Sequence, residues 1–175
     1  MEYREIFRRD GSSTGEIVQK NTPKKPGDYF RHVLVVMKTM DSPEPGKGEG
    51  SYIVQQRSLK ARYYAGKWDV TGGSVQAGET PKDAIIREIK EELQMTVSPD
   101  ELTLAHEETV DWDDGTGLLV SMFACRVAVP EEGFVWDKRE VNDVRVLSFH
   151  EFRAYLMDHN GEAFGQALDR IEATI

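Results

Sequence analysis

Glu91 and Glu92 follow Glu88 by three and four residues, so on a helix the three carboxylates lie within about one turn of one another. Like charges this close repel unless a cation or basic group compensates, and hard oxygen donors suit Mg2+ or Mn2+. Arg87, four residues before Glu91, can pair within the helix or reach Glu79 just outside it and hold the preceding loop. Gly72 and Gly73 permit a tight backbone approach that brings a carbonyl oxygen among the carboxylates. A Glu-rich helix face on its own is usually a solvated surface. The ordered combination of glycines, brace and carboxylates favours a metal-binding unit.

These residues need a loop and a helix to hold them. Thr80 can cap a helix, Pro81 suits its first position, and Asp83 occupies the capping-box position. Ile85, Ile86, Ile89 and Leu93 then repeat at helical spacing and form one apolar face. Upstream, 67–73 reads as a short strand running into a tight turn. Segments 3–9 and 16–19 flank a turn at 10–15, and the apolar run 31–37 predicts a buried strand where the central sheet starts. The Pro- and Gly-rich segment 41–51 is expected to be the least ordered. Further strands are expected at 52–57, 102–109, 118–128 and 142–148, then helices at 149–158 and 161–174. Phe164, Ala167, Leu168, Ile171 and Ile175 supply the apolar side of the last. Helices on both faces of mixed strands predict an α/β/α sandwich with a mixed central sheet. No internal repeat, Rossmann fingerprint or P-loop is evident.

Composition sets the outer limits. With 175 residues and 19.8 kDa, one domain can enclose a core without a disulfide or metal staple. Cys125 is the only cysteine and lies in an apolar run, which fits a buried thiol and a cytoplasmic location. The N-terminus lacks the apolar stretch of a signal peptide, and no run approaches the roughly 20 apolar residues that cross a bilayer. A formal charge of -9 argues against a broad grip on extended nucleic acid. A small anionic substrate stays open, because a bound cation reverses the local sign of a pocket. Oligomeric state, including a homo-oligomer, is also open.

The run from Gly73 through Glu79, Arg87, Glu88, Glu91 and Glu92 to Met95 resembles the 23-residue signature of the Nudix hydrolase family, Gly-x5-Glu-x7-Arg-Glu-U-x-Glu-Glu-x-Gly-U, with U bulky and apolar. Gln94 alone departs, standing where the family has glycine. A residue after a helix end often needs positive φ, so the exchange implies a cost of about 1 kcal/mol or a shifted helix end. The resemblance implies that Glu88, Glu91 and Glu92 hold divalent ions, that Gly72 offers its carbonyl, and that Arg87 with Glu79 braces loop and helix. It also implies another carboxylate from a later loop, for which Glu140 is the candidate. Residues 52–58 and 66–73 resemble the branch related to isopentenyl diphosphate isomerase, and 143–152 looks like the strand and helix that close the domain. A single Nudix-like domain over 1–175 follows, with 1–29 a loosely matched arm and 159–175 a helical extension.

The implied activity is metal-dependent cleavage of a diphosphate linkage, in a nucleoside diphosphate derivative or a related small diphosphate. Metal ions neutralise adjacent phosphoryl groups and acidify an attacking water. One of Glu88, Glu91 or Glu92 then accepts its proton, with Glu88 slightly favoured. Tyr63, Tyr64, Trp112 and Trp136 are aromatic candidates for stacking on a base or covering an isoprenoid tail, although such residues more often anchor a core or loop. Arg57, Arg62 and Lys67 can contact phosphate. His32, His106, His150 and His159 form no close metal motif, and His32 reads as structural. The alternatives are isoprenoid diphosphate isomerisation, poorly matched because 30–37 holds no cysteine, and a catalytically silent binding module.

Overall fold

The computed structural model describes residues 2–43 and 49–175, so residues 44–48 of the segment expected to be least ordered lie outside the described residues. In chain order, β1 (Tyr3–Phe7) and β2 (Ser13–Gln19) form a hairpin; β3 (Tyr29–Thr39), β4 (Ser51–Arg57), β5 (Trp68–Asp69) and β6 (Thr71–Ser74) then lead into α1 (Pro81–Leu93). A single 3-10 turn at Pro99–Glu101 precedes β7 (Thr103–Asp111), followed by β8 (Gly117–Val127), β9 (Val141–Ser148) and α2 (Phe149–Glu172).

The hub is β3. One edge pairs in parallel with β8 along its whole length, from Tyr29↔Gly117 to Thr39↔Val127. The other edge is shared antiparallel by three short partners: β1 at Tyr29, β6 at His32 to Val35, and β4 at Met37 and Lys38. Because β4 meets β3 over only two residues and then pairs with β5 and β9, the two strands diverge. The segment expected as one short strand is therefore two, β5 on β4 and β6 on β3, crossing the gap at Val70. This crossing carries Gly72 and Gly73 to α1.

Strand alternation sends successive side chains to opposite faces. Val33, Val35, Met37 and Ile53 pack with Ile85, Ile89 and Leu93 of α1 on one face. Val36, Tyr52, Val54 and Met122 pack with Phe152, Leu156, Leu168 and Ile171 of α2 on the other. The result is an α/β/α sandwich on a mixed sheet. Cys125 belongs to the α1-side core, where burial pushes its thiol up to about 12.

The start of α1 follows its sequence grammar: the Thr80 hydroxyl accepts the Asp83 N–H at 3.2 Å and the Asp83 carboxylate accepts the Thr80 N–H at 3.3 Å. At the other end Gln94 takes the left-handed conformation, φ 54° and ψ 19°, and donates to the Lys90 carbonyl. The departure from glycine thus leaves the helix end in place at the cost of a side chain in a sterically unfavoured region. As expected, α2 consists of two helical runs, because the backbone leaves helical geometry at Gly161, with φ of 80° and ψ of 172°. Among the described residues no helix is long and apolar enough to cross a membrane.

Candidate active site

Arg87 organises the loop before α1. Its Nε donates to Glu79 Oε1 at 2.7 Å, and Nη2 donates to Glu79 Oε2 at 3.1 Å and to the Ser74 carbonyl at 3.0 Å. Glu79 also accepts the Gln76 N–H at 2.9 Å. Burial works against the Glu79 charge, yet the guanidinium and that N–H hold its pKa below the ordinary value. The loop is further tied to the sheet by Val75 N–H on the Arg31 carbonyl and Ala77 N–H on the Tyr3 carbonyl.

The remaining guanidinium nitrogen, Nη1, stands between Glu88 Oε1 at 2.8 Å and Glu91 Oε2 at 3.2 Å. Glu88 packs its carboxylate against the backbone at Gly73, where a Cβ would overlap it. At Gly72 a Cβ would overlap the Val33 carbonyl oxygen. Each glycine therefore has a steric reason, one facing the helix and one facing β3. Burial raises the Glu88 pKa against the opposing pull of Arg87.

Glu92 points elsewhere. It is 7% exposed and accepts a hydrogen bond on Oε2 from Gln55 Nε2 at 2.8 Å. Burial pushes its pKa up to about 8, opposed by Gln55, the Gly72 N–H and the more distant Arg57, while Glu88 adds to the rise. Among the described residues no three His, Cys, Asp or Glu side chains are grouped to hold a metal. The physical reason is visible: Arg87 draws Glu88 and Glu91 to itself, whereas Glu92 turns to Gln55. Glu91, with its side chain 57% exposed, is the freest of the three to reorient.

Gln55 was missed by sequence reasoning. It is 2% exposed, and its Oε1 accepts from the Thr71 hydroxyl at 3.4 Å while its amide holds Glu92. The available signal was an amide directly following the apolar Ile53 and Val54 of β4. His159 was also set aside, and its Nε2 lies 3.2 Å from Asp69 Oδ2, linking α2 to β5. His32 behaves structurally: burial pushes its pKa down to about 4, which keeps the ring neutral.

The other named candidates separate. Arg57, Tyr63, Tyr64 and Lys67 share one loop between β4 and β5: Arg57 Nε donates to the Tyr63 carbonyl at 3.2 Å, Tyr64 packs 4.9 Å from the His159 ring, and Lys67 pairs with Asp158 at 2.6 Å. Arg57 is close enough to Glu92 to lower its pKa. Glu140 is exposed; its carbonyl accepts the Ser58 N–H at 2.8 Å, while the neighbouring Asp137 N–H reaches the Glu92 carbonyl at 2.9 Å. The loop of Glu140 therefore lies against both β4 and the end of α1. Trp136 is half-buried against the α1-side core, an anchoring position. Trp112 has Lys24 Nζ 3.9 Å from its ring centroid. A cavity of about 480 Å³ beside Arg9, Arg31, Pro81 and Glu107 and another of about 450 Å³ beside Met40, Gln94 and Val135 both lie away from the three glutamates.

One consequence concerns Gly73→Ala. The added methyl meets only the far end of a flexible side chain, so the fold is expected to survive within about 1 kcal/mol while Glu88 is displaced. Activity should fall about tenfold or more. Steady-state kinetics beside thermal unfolding checks this; unchanged turnover would show that the Glu88 position is unimportant.

Comparison with known proteins gives the family. The model of the NUDIX domain matches residues 29–167. The chain is 26% identical over 190 aligned positions to Nudix hydrolase 3 of Arabidopsis thaliana, covering 97% of this chain and 23% of that protein. It is 38% identical over 57 positions to the 8-oxo-dGTP diphosphatase of Proteus vulgaris, covering 31% of this chain and 50% of that protein. The chain thus spans about a quarter of the first relative, and its match takes in half of the second. A crystal structure from Deinococcus radiodurans shares the fold with a TM-score of 0.66 at 18% identity, covering 97% of this chain and 98% of that one. With the family match extending over most of its length, and the signature residues gathered between β6 and α1, the chain belongs to the NUDIX domain family.

Proposed function

We propose that this chain hydrolyses a diphosphate linkage in a small molecule, a nucleoside diphosphate derivative or a related small diphosphate, with Mg2+ or Mn2+ held by Glu88, Glu91 and Glu92. The observation that carries this reading is the Glu92 carboxylate, almost fully buried with an amide against it and, among the described residues, no salt-bridge partner, one turn from a second partly buried carboxylate. Burying a negative charge is costly unless something compensates it, and a hard divalent ion fits a set of carboxylate oxygens. The names of the two relatives, a Nudix hydrolase and a diphosphatase, support the same chemistry.

In this reading Glu88, Glu91 and Glu92 would hold the ion, with Gly72 offering its carbonyl and Glu140 joining from the later loop. When bound, the ion supplies charge neutralisation of the diphosphate and a lower pKa for the attacking water. The chain's own work is positional. Arg87 and Glu79 fix the loop against the helix, Gly73 lets Glu88 approach the backbone, and Gln55 orients Glu92. One of the three glutamates accepts the water proton. Arg57, Tyr63, Tyr64 and Lys67 are proposed to meet the rest of the substrate from the β4–β5 loop, with Trp112 and Trp136 secondary candidates. We also take 1–175 as one domain, with 1–29 as an arm and 159–175 as a helical extension.

The resemblance of 52–58 to the isomerase-related branch does not carry isomerase chemistry with it, since Cys125 is buried in the core with its thiol pushed up to about 12. A panel of nucleoside and non-nucleotide diphosphates, incubated with Mg2+ or Mn2+ in 18O-water and read by product mass, tests the proposal. Cleavage with one labelled oxygen on one phosphoryl product is expected. A product of unchanged mass but altered chromatographic retention would support the isomerase reading, and binding without any product would support a silent module.

A further inference from the structure

The N-terminal arm, matched only loosely in the sequence, holds two cations, Arg4 and Lys24, beside aromatic rings. The Arg4 guanidinium carbon lies 4.2 Å from the centroid of the Phe30 ring. Lys24 Nζ lies 5.6 Å from that centroid and 3.9 Å from the Trp112 centroid. Among the described residues neither cation has a carboxylate within salt-bridge distance. The nearby acids are already engaged: Glu2 pairs with Lys20 at 2.6 Å, and Asp114 Oδ1 accepts the Thr116 N–H and hydroxyl at 2.9 and 2.7 Å. Arg4 donates from Nη2 to the Lys20 carbonyl, but its Nε is buried with no hydrogen-bond partner.

Half-buried Arg4 and exposed Lys24 lie beside one aromatic ring, where like charges repel and stacking on rings offsets part of that cost. Burial lowers the pKa of Arg4 against the pull of Glu2, and burial together with Arg4 lowers that of Lys24 against the pull of Asp114, so these acids offset only part of the shift. A buried guanidinium N–H without an acceptor is likewise rare. In a chain of net charge -9, this local excess of positive charge is poised for an anion.

Its surroundings narrow the class. Arg4 adjoins Tyr3, whose carbonyl accepts the Ala77 N–H of the loop before α1 at 2.9 Å. Lys20, at the end of the same hairpin, is close enough to act on Glu88, and both Lys20 and Lys24 act on His32. The planar Arg4 guanidinium and the exposed Lys24 ammonium suit the tetrahedral oxygens of a phosphoryl group.

We infer that Arg4 and Lys24, set against Phe30 and Trp112, form an anion subsite that receives a phosphoryl group. The subsite rests on the proposed function only for the carrier of that group, a substrate held at α1 or the phosphate released from it. Phosphate binding itself is independent of turnover.

Titration of the full chain with inorganic phosphate and with ADP, in the presence of chelator, tests the subsite through the indole N–H resonance of Trp112. Inorganic phosphate is expected to shift that resonance saturably. Lys24→Met should raise its Kd about tenfold, and Lys24→Arg should restore it. Arg4→Met and Arg4→Lys supply the same comparison for the second cation. ADP binding more tightly than phosphate would assign the subsite to a substrate-borne phosphoryl group; equal or weaker binding would assign it to the released product. An unmoved Trp112 resonance, or the same Kd in Lys24→Met as in the parent, would overturn the subsite. If phosphate binds as expected but no diphosphate is cleaved, the subsite stands and the hydrolase reading fails.

Discussion

Glu92→Gln is expected to lower kcat by about 10²-fold or more while leaving the protein folded. The amide has nearly the size of the carboxylate and stays between Gln55 and the Gly72 backbone, but it loses the charge proposed to hold the ion. A second effect follows from burial. Glu92 has its pKa raised from 4.5 to about 8, so the unfolded chain releases this proton at a lower pH than the folded one. The sign is then fixed: with metal chelated, the contribution of Glu92 to stability falls as pH rises from about 4.5 to about 8 and stays low above that. Glutamine has no proton to lose, so the variant should unfold at a higher temperature than the parent at pH 8 to 9, by about 5 °C or more. Thermal unfolding across pH and turnover at several Mg2+ concentrations separate the two effects. Parental kcat under limiting metal would remove Glu92 from the proposed ligand set, and parallel loss of stability and activity would make its role structural.

Arg87→Met is expected to damage both fold and function. The guanidinium serves Glu79, Glu88, Glu91 and the Ser74 carbonyl at once, and methionine replaces none of those donors. Glu79 and Glu88 would be left partly buried with no cation between them. Breaking a fully buried pair costs about 3–5 kcal/mol, and the Arg87 side chain keeps 21% of its exposure, so about 2–3 kcal/mol is expected here. That corresponds to a fall in Tm of roughly 5–10 °C for a chain of this size. Turnover should drop by about 10²-fold as Glu88 and the loop lose their geometry. Arg87→Lys, which keeps the charge but not the fork, should fall between the two. A Tm within 1 °C of the parent, roughly the scatter of a surface substitution, would show that the brace carries no load.

Most of the helix that holds the candidate site was legible because it is local. The cap at Thr80, the apolar repeat from Ile85 to Leu93 and the spacing of Glu88, Glu91 and Glu92 all lie within one helix, where period alone decides which side chains share a face. The position of α1 also followed, and Gln94 marked its end despite lacking the conformational freedom of glycine. What escaped depends on pairing at long range. The split of 67–73 into β5 and β6 requires β3 and β4 to diverge, which no window of sequence reports. Gln55 reads in isolation as a polar residue turned to solvent, and only packing against Glu92 reveals its use. The pairing of Arg87 with Glu79 was one of the partners the sequence offered, and its simultaneous hold on Glu88 and Glu91 appears only in three dimensions. Trp136 looked like a stacking surface from its type, but it packs against the core as aromatic residues usually do.

The central claim, that α1 carries a metal-dependent diphosphate hydrolase, is tested most directly by turnover of a cleaved diphosphate before chelation, after exhaustive chelation, and after restoring Mg2+ or Mn2+. Activity is expected to disappear with chelation and to return with either ion, because Glu88, Glu91 and Glu92 offer hard donors that need a cation to work together. Full activity in the chelated protein would contradict the account.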